Sequence, residues 1–416
     1  MVEIKNLKKA VSRILKAIKN KEKIILYGDA DLDGVAAVII LEEAIKNLGS
    51  EVRAIYFPDR EIEGCGISEK GLNYLTRQLF KKGAGRALLI ALDCGIGNFK
   101  EVKIAKKLGF EVIIIDHHQV LDELPEAKII VDPYQKGDKY PFKGLAAAAI
   151  SFKLVELLLK TMLTENLRKN FLELVALATI ADMMPREEEN KIFIEEGLRS
   201  LENSWRPGIR AFFEIEGFNH YLNLNQKVSK IISLLNIRDL ENNFPAPFRL
   251  LTLPSPEESK ELIGKLLLKS LERKEKIEKI IKEIEELRAS LASAKASAIE
   301  EEISQSKESI IFMGSPEWEF TLISPVASNL CQKYQKPAFI FKKLEKESQG
   351  TVRVPSGIDS VALMKKCSKY LLTYGGHPLA SGFRIKNENL EKFKKCLLTN
   401  YESNRITNKN NKQKNS

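Results

Sequence analysis

Acidic and histidine residues with metal-binding chemistry fall in three short clusters in the first third of the sequence. These clusters are GDADLDG at residues 28–34, DCGIG at residues 93–97 and DHH at residues 116–118. The first cluster has an Asp at every second position, and three carboxylates so close together repel one another unless cations lie between them. Carboxylate oxygens combined with imidazole nitrogens suit Mn²⁺ or Mg²⁺ better than a metal that prefers thiolates.

Each cluster directly follows a short apolar run with the pattern of a buried strand, and helical segments separate these runs. The runs are KIILYG, ALLIAL and EVIII. Strands that alternate with helices predict an α/β fold with a doubly wound parallel sheet. Because the carboxyl ends of parallel strands share one edge, where ligands bind, we expect the three clusters to converge there. Two metal ions at such a site would activate a water and neutralise a phosphoryl oxygen, which indicates phosphodiester hydrolysis.

Two of the acidic residues also have plainer structural interpretations. Asp33 precedes a predicted helix over residues 34–48 and is suited to cap it, although helix capping does not account for all three carboxylates of the first cluster. Asp182 ends an apolar stretch, where an Asp either caps a turn or reaches into a polar site. Taken alone, the sequence favours the cap for Asp182, and both interpretations stay open.

The remaining sequence indicates a helical connector and a second, smaller α/β domain. We predict these boundaries: a first α/β domain over 1–200, a helical connector over 201–305, a second α/β domain over 306–400 and a disordered basic tail over 401–416. The connector has apolar residues at steps of three and four, at Ile277, Ile280, Ile284, Leu287 and Leu291. This heptad pattern favours packing on the same chain, and an intermolecular coiled coil is the alternative.

Composition and charge limit the class of protein. The chain has 416 residues, 44% of them hydrophobic, which excludes general disorder. The net charge of +10 lies entirely in residues 306–416. This excess indicates that the C-terminal end binds nucleic acid, and the alternative is that the basic residues only increase solubility. The five cysteines are odd in number and form no CxxC pair, so we expect no disulfide framework and no structural zinc site. This use of cysteine favours a cytoplasmic location. We expect no membrane span and no secretory signal.

Taken together, these motifs resemble the DHH phosphoesterase superfamily, and within it the RecJ-like single-strand exonucleases. The resemblance rests on the three clusters, on LATIADMMP at residues 177–185 and on YGGHPLASG at residues 374–382, which is similar to the signature of the DHH-associated C-terminal domain. It covers roughly residues 20–215 and 308–398. It implies a metal-dependent exonuclease that acts on single-stranded DNA, or on RNA, in replication or repair.

The resemblance also implies a role for each matching residue of the first domain. Two divalent cations, Mn²⁺ or Mg²⁺, would be held by these residues: Asp29, Asp31 and Asp182 for one ion, Asp33 and His117 for the other, and Asp93 between them. His118 would contact the scissile phosphate instead of binding metal. Asp116 would orient a histidine.

In the second domain the resemblance implies contacts to the substrate. Gly375 and Gly376 would let backbone N–H groups approach a phosphate, and His377 would add a hydrogen bond. A simple tight turn is the alternative for the two glycines. Arg353 falls where the family often places a basic substrate contact.

Departures from the family pattern bear on substrate and partners. The Arg- and Asn-rich loop of bacterial relatives is reduced to Asn236 and Arg238, and Cys65 stands where a Tyr is usual. The chain resembles the shorter archaeal RecJ-like proteins, some of which associate with the GINS complex of the replicative helicase. Two alternatives are a short-oligonucleotide or cyclic-dinucleotide phosphodiesterase and a GINS-associated replisome scaffold. The scaffold ranks last because every expected metal ligand is present.

Overall fold

The computed structural model of the protein describes residues 2–60, 62–80, 85–120, 123–215, 223–297 and 309–414. The chain divides into two units, residues 1–268 and residues 269–416. The first unit contains α1 (Leu7–Lys19), β1 (Ile24–Gly28), α2 (Leu32–Asn47), β2 (Ala54–Tyr56), α3 (Glu69–Leu79), β3 (Ala87–Leu92), α4 (Phe99–Lys107), β4 (Phe110–Ile115), β5 (Ile129–Val131), α5 (Ala147–Leu159), α6 (Glu165–Ala181), α7 (Glu188–Ser200), α8 (Pro207–Glu214), α9 (Leu224–Leu235), β6 (Leu240–Glu241), β7 (Phe244–Pro245) and α10 (Ala246–Thr252). Helix α11 (Pro256–Ser297) runs across the boundary. The second unit continues with β8 (Ile311–Ser315), α12 (Phe320–Tyr334), β9 (Ala338–Lys343), β10 (Glu347–Arg353), α13 (Ser360–Lys365), β11 (Leu371–His377), β12 (Ala380–Lys386) and α14 (Leu390–Lys414).

The first unit is built on a five-stranded sheet in the order β2-β1-β3-β4-β5. All neighbouring strands in it are parallel, so the predicted doubly wound parallel sheet is confirmed. In this strand order the direction of winding reverses between β1 and β3, and the carboxyl ends of these two strands flank a crevice in which ligands bind.

Alternation along the strands covers both faces of this sheet. In β1, Ile24 and Leu26 belong to the core formed with α1, α2, α5 and α6, whereas Ile25 and Tyr27 face the core formed with α3 and α4. Successive side chains of a strand point to opposite faces, and a parallel sheet is normally buried on both. The helices therefore cover both faces of the sheet.

The segment predicted as a connector is shared between the two units. Helices α8, α9 and α10 and the first turns of α11 lie in the first unit, where Leu262, Ile263 and Leu266 are buried in its core. The boundary between the units falls after Leu268, inside the continuous helix α11. No change in amino-acid composition marks it, because the same helix continues on both sides.

The apolar seam of α11 packs on its own chain. Ile280 and Ile284 are buried beside Trp318 in a core of the second unit, and Glu283 accepts a hydrogen bond from the Trp318 indole at 3.1 Å. The next residue of the seam, Leu287, is 43% exposed, so the buried part of the seam ends before it. The side chain of Leu291 lies outside the described residues.

The second unit has a mixed five-stranded sheet in the order β11-β12-β10-β9-β8. Strands β8 and β9 are parallel and the other neighbours are antiparallel. Aromatic rings of Phe339, Phe341, Phe383 and Phe393 pack together on one face. This is a smaller α/β unit, as predicted, with a core of its own.

Two expectations for the second unit differ from the structure. Cys367 and Cys396 form a disulfide across 29 residues of sequence; α14 returns beside the segment that follows α13, a proximity that cysteine spacing does not reveal. Helix α14 continues to Lys414, into the segment for which composition predicts disorder. Within the described ranges, no helix is long and apolar enough to span a membrane.

Candidate metal centre

The three polar clusters meet at the carboxyl edge of the parallel sheet. Asp29 follows β1, Asp93 follows β3 and Asp116 follows β4. Their backbone N–H groups continue the strand pairing, since Asp29 donates to the carbonyl of Leu92 at 3.2 Å and Asp93 to that of Ile115 at 2.9 Å. The edge is the switch point at which a doubly wound sheet binds its ligand.

The residues expected to bind metal form groups whose ligand atoms lie within 4.8 Å of one another. The groups are Asp29–Asp31–Asp93, Asp33–His117–Asp182 and Asp93–His117–His118. Asp182 joins Asp33 and His117, whereas the family resemblance implies that it joins Asp29 and Asp31. The reason is its position at the C-cap of α6, where its Oδ2 lies 3.5 Å from Nε2 of His117.

His117 is the centre of this arrangement. Its Nε2 lies 3.2 Å from Oδ1 of Asp93 and 3.6 Å from Oδ2 of Asp33. Burial, and then the charge of His118, lower the pKa of His117 to about 4. Its imidazole is therefore neutral at pH 7 and offers a nitrogen lone pair to a metal ion.

Asp33 is held rigidly by the start of α5. Its Oδ2 accepts a hydrogen bond from the N–H of Ala147 at 2.7 Å and its Oδ1 from the N–H of Ala148 at 2.9 Å. Burial, and then the charges of Asp182 and Asp31, raise the pKa of Asp33 well above its usual range. The helix cap expected of Asp33 is instead made by Asp31, which accepts from the N–H of Gly34, because α2 begins two residues earlier than predicted.

Asp93 is buried in a strained backbone conformation with φ of 60°. Its Oδ1 is buried and accepts no hydrogen bond in the described part of the chain. Burial, and then the charges of Asp31 and Asp33, raise the pKa of Asp93 well above its usual range. A buried carboxylate oxygen that accepts no hydrogen bond, among other carboxylates, is destabilising unless a cation pairs with it. The oxygen and nitrogen donors here fit hard divalent cations such as Mn²⁺ or Mg²⁺.

His118 differs sharply from its neighbour His117. Its side chain is 56% exposed, and its Nδ1 lies 2.8 Å from Oδ1 of Asp116. This hydrogen bond outweighs burial and raises the pKa of His118 to about 9. The carboxylate of Asp116 is fixed in turn by backbone N–H groups, including that of Ile96 at 3.0 Å. His118 is therefore protonated at pH 7, beside the acidic cluster and with more than half of its side chain exposed.

Arg60 belongs to the site although no acidic or histidine cluster of the sequence contains it. It lies in the loop between β2 and α3, and its Nε donates to Oδ1 of Asp29 at 2.7 Å. Its Nη2 lies 2.6 Å from Oδ2 of Asp29 and 2.8 Å from Oδ2 of Asp31. The available signal was a basic residue shortly after a strand of the same sheet.

Asp132 is a second residue at this edge that lies outside the three clusters. It directly follows β5, as Asp29, Asp93 and Asp116 follow their strands, and it is fully buried. Its Oδ1 accepts from the N–H of Tyr134 at 2.7 Å, and burial raises its pKa to about 7. Because Asp132 also directly follows a strand of this parallel sheet, its position at the same edge could have been predicted from the sequence.

The residues expected to bind substrate align at one end of the second unit's sheet. Arg353 of β10 pairs with Ala380 of β12, which pairs with His377 of β11. The Arg353 guanidinium donates from Nη2 to Oγ of Ser324 at 2.7 Å and from Nη1 to the carbonyl of Val352 at 2.8 Å. The side chain of His377 lies outside the described residues.

The two glycines of β11 have different surroundings. A Cβ on Gly375 would meet no atom within 4 Å, so this stretch of backbone is open. Gly376 has φ of 128°, and a Cβ there would lie 2.7 Å from the carbonyl of Ala380. The conformation at Gly376 therefore requires glycine, and the surface at Gly375 admits a ligand close to the main chain.

Comparison with known sequences identifies two matching domains. Residues 23–179 match the DHH family, N-terminal domain, and residues 307–401 match the DHHA1 domain. The single-stranded-DNA-specific exonuclease RecJ of Bacillus subtilis is 31% identical over 392 residues, which are 93% of this chain and 47% of that protein. The chain thus spans about half the length of this relative.

Solved structures share the fold. A crystal structure of exonuclease RecJ bound to manganese has a TM-score of 0.73 at 24% identity and covers 96% of this chain and 94% of that chain. RecJ from Thermus thermophilus in complex with Mn²⁺ has a TM-score of 0.74 at 22% identity, over 96% of this chain and 55% of that chain. The two matched domains, in this order and on this fold, show that the chain belongs to the DHH family as a RecJ-like member with a DHHA1 domain.

Proposed function

We propose that this chain is a metal-dependent exonuclease that hydrolyses phosphodiester bonds of single-stranded DNA, in replication or repair. The observation that carries this function is the adjacency of Asp29–Asp31–Asp93 to Asp33–His117–Asp182, joined where His117 Nε2 lies 3.2 Å from Asp93 Oδ1. Two neighbouring donor groups that share one carboxylate suit a pair of cations acting on a phosphodiester. The name of the Bacillus subtilis relative supports the choice of substrate.

The cations in this function are two Mn²⁺ or Mg²⁺ ions. The choice of metal is supported by RecJ structures bound to manganese and in complex with Mg²⁺. One ion would be held by the group around Asp29 and Asp31, the other by the group around Asp33, His117 and Asp182, and Asp93 would serve both. When bound, the ions supply an activated water and neutralise charge on the phosphoryl oxygen.

His118 and Asp116 act on the substrate side of the centre. Because His118 is protonated and exposed, it can donate a hydrogen bond to a phosphate oxygen as negative charge develops there. Asp116 fixes the ring through Nδ1, so Nε2 is the atom left for the phosphate. Asp116 is thus a positioning residue in this proposal.

The second unit binds the strand in this function. Gly375 and Gly376 would present backbone N–H groups, His377 a hydrogen bond and Arg353 a positive charge to the phosphates. The excess of basic residues after residue 306 supports this assignment. We also propose that residues 1–200 carry catalysis and residues 306–400 bind the strand. Residues 201–305 connect them in sequence, and those up to Leu268 belong to the first unit.

Incubation of the purified chain with Mn²⁺ and end-labelled single strands tests this function. We expect the wild type to release nucleotides. A sample treated with a chelator should do so only after Mn²⁺ is restored, and Asp93→Ala and Asp116→Ala should release none. Glu51→Gln, an exposed carboxylate before β2 at the opposite end of the sheet, is the charge control. If the wild type releases no nucleotides from any strand, the exonuclease assignment is wrong.

The same assay separates the alternatives. Attack on dinucleotides with no attack on long strands would identify a short-oligonucleotide phosphodiesterase. Binding to purified GINS without hydrolysis would identify a scaffold, whereas binding with hydrolysis would make GINS a partner of an active nuclease. Fractionation of cells would test the cytoplasmic location that remains part of the proposal.

A further inference from the structure

Arg60 places a positive charge on two carboxylates of the proposed metal pocket. Its guanidinium contacts both oxygens of Asp29 and Oδ2 of Asp31, at 2.6 to 2.8 Å. The Arg60 side chain is 23% exposed and that of Asp29 is 8% exposed. Contacts of this bidentate, charge-assisted kind are strong because the fork of N–H donors matches carboxylate geometry.

The loop that carries Arg60 is held in place by Glu63. Its carboxylate accepts hydrogen bonds from Tyr56 Oη at 3.0 Å, from the N–H of Asp59 at 3.2 Å and from Ser68 Oγ. The N–H of Glu63 also donates to the carbonyl of Asp59 at 2.7 Å. These bonds close the backbone on both sides of Arg60, so its side chain is directed at Asp29 and Asp31.

The same two carboxylates belong to a group that can hold a metal ion. Asp29, Asp31 and Asp93 bring their ligand atoms within 4.8 Å, and Arg60 already contacts two of these residues. A divalent cation on those atoms would lie close to the guanidinium, and two positive charges at such a distance repel strongly in a partly buried site.

We propose that Arg60 is an internal counter-cation of the acidic centre, and that a divalent cation displaces it from Asp29 and Asp31 on binding. This inference rests on the metal dependence of the proposed function and adds a conformational step to it. Before metal binds, the guanidinium balances the carboxylates and keeps the pocket assembled. When metal binds, Arg60 and the two residues that hold its loop, Asp59 and Glu63, change their contacts.

A supporting role for Arg60 predicts the opposite result. If the guanidinium stayed on Asp29 and oriented it for the metal, removing Arg60 would weaken metal binding. If Arg60 competes with the metal, removing it tightens binding. The sign of the change in affinity therefore distinguishes the two roles.

Calorimetric titration of Mn²⁺ into the metal-free full chain measures this sign. We expect Arg60→Ala to tighten the Kd for Mn²⁺ by about ten-fold or more, and Arg60→Lys, which lacks the fork, by less. Arg53→Ala is the matched control, since Arg53 is exposed and precedes β2 at the opposite end of the sheet. An unchanged or weaker Kd in Arg60→Ala excludes displacement.

Thermal unfolding gives a readout that is independent of activity. Without metal, Arg60→Ala should have a lower Tm than the wild type because the carboxylates lose their counter-cation. The rise in Tm on adding Mn²⁺ should be larger in the variant than in the wild type. An equal rise in both proteins contradicts displacement.

Glu63→Gln keeps the inference testable if Arg60→Ala does not fold. An amide cannot accept all the hydrogen bonds of the Glu63 carboxylate, so the loop should hold Arg60 less firmly. Loss of a nearby negative charge by itself weakens cation binding, so a tighter Kd for Mn²⁺ in Glu63→Gln supports displacement. Arg60→Lys keeps the charge but lacks the fork, and a Kd no tighter than that of the wild type in this variant contradicts displacement.

Failure of the inference can be distinguished from failure of the proposed function. If Mn²⁺ binds the wild type but not Asp93→Ala, and Arg60→Ala binds no tighter, only the displacement is wrong. If Mn²⁺ binds neither the wild type nor Asp93→Ala, the metal-dependent function is wrong and the displacement with it.

Discussion

The acidic edge of the first unit and the basic end of the second unit are constructed in opposite ways. The first gathers side chains from positions between Asp29 and Asp182, and most of them are buried. The second aligns Arg353 with the chain at Ala380 and His377 through the register of three neighbouring strands, and its glycine backbone is open. One is a closed cluster of like charges, and the other is an exposed surface of backbone and positive charge.

This difference separates two tasks. A buried cluster of carboxylates is stable only with cations between them, so its geometry is fixed by charge balance as well as by packing. An open strand edge can bind a flexible single strand through several separate contacts. Removal of one contact therefore lowers the affinity for the strand only in part. Substitutions at the acidic edge should therefore change kcat, and substitutions at the basic end should change KM.

Asp93→Asn tests the charge balance of the acidic edge and should have the largest effect. We expect kcat to fall by at least about 1,000-fold, which corresponds to about 4 kcal/mol, because the carboxylate shared by both groups is lost. Asp93 Oδ1 has no hydrogen-bond partner among the described residues, so the neutral amide should raise the Tm of the metal-free chain by about 2 °C or more. Steady-state kinetics and calorimetry measure both quantities. A lower Tm would show that like-charge repulsion does not dominate at this edge.

His118→Gln tests whether the exposed histidine acts on substrate or on metal. We expect kcat to fall by about 100-fold, because a charged donor to the phosphate is lost, while the Kd for Mn²⁺ stays at the wild-type value. Asp116→Asn should lower kcat by about 10- to 100-fold, since it leaves the His118 ring without its orienting carboxylate. A weaker Kd for Mn²⁺ in His118→Gln would place His118 among the metal ligands.

Arg353→Ala tests the basic end. We expect KM for single-stranded DNA to rise by about ten-fold with little change in kcat, and the slope of log affinity against log salt to decrease by about one. Lys346→Ala, on the exposed turn between β9 and β10, is the charge-matched control. A fall in kcat with KM unchanged would remove the functional distinction between the two units.

A pair of glycine variants tests the open backbone and should have the smallest effect. Gly375→Ala should leave Tm unchanged, because its Cβ meets no atom within 4 Å, but weaken DNA binding by about three-fold or more if a phosphate approaches that backbone. Gly376→Ala should lower Tm because φ is 128° there and the Cβ would contact Ala380. Fluorescence anisotropy and thermal unfolding give the two values. Unchanged DNA binding by Gly375→Ala would exclude a backbone contact at this position.

Much of the fold follows from local sequence pattern. The runs KIILYG, ALLIAL and EVIII predict β1, β3 and β4 correctly, because strands buried on both faces read as continuous apolar segments. The unit boundary was not predictable in the same way. It falls after Leu268 inside one continuous helix, and only the packing of Leu266 and Ile280 into different cores divides that helix.

The sequence by itself determined which residue types occur and that Asp29, Asp93 and Asp116 share an edge, since each follows a strand of one parallel sheet. Only the tertiary structure decided their partners. It placed Arg60 on Asp29, joined Asp182 to His117, and gave adjacent histidines opposite protonation through burial of one and Asp116 beside the other. The partners of these side chains and their pKa values depend on contacts with segments distant in sequence and on the burial that those segments cause. Local sequence pattern therefore does not predict them.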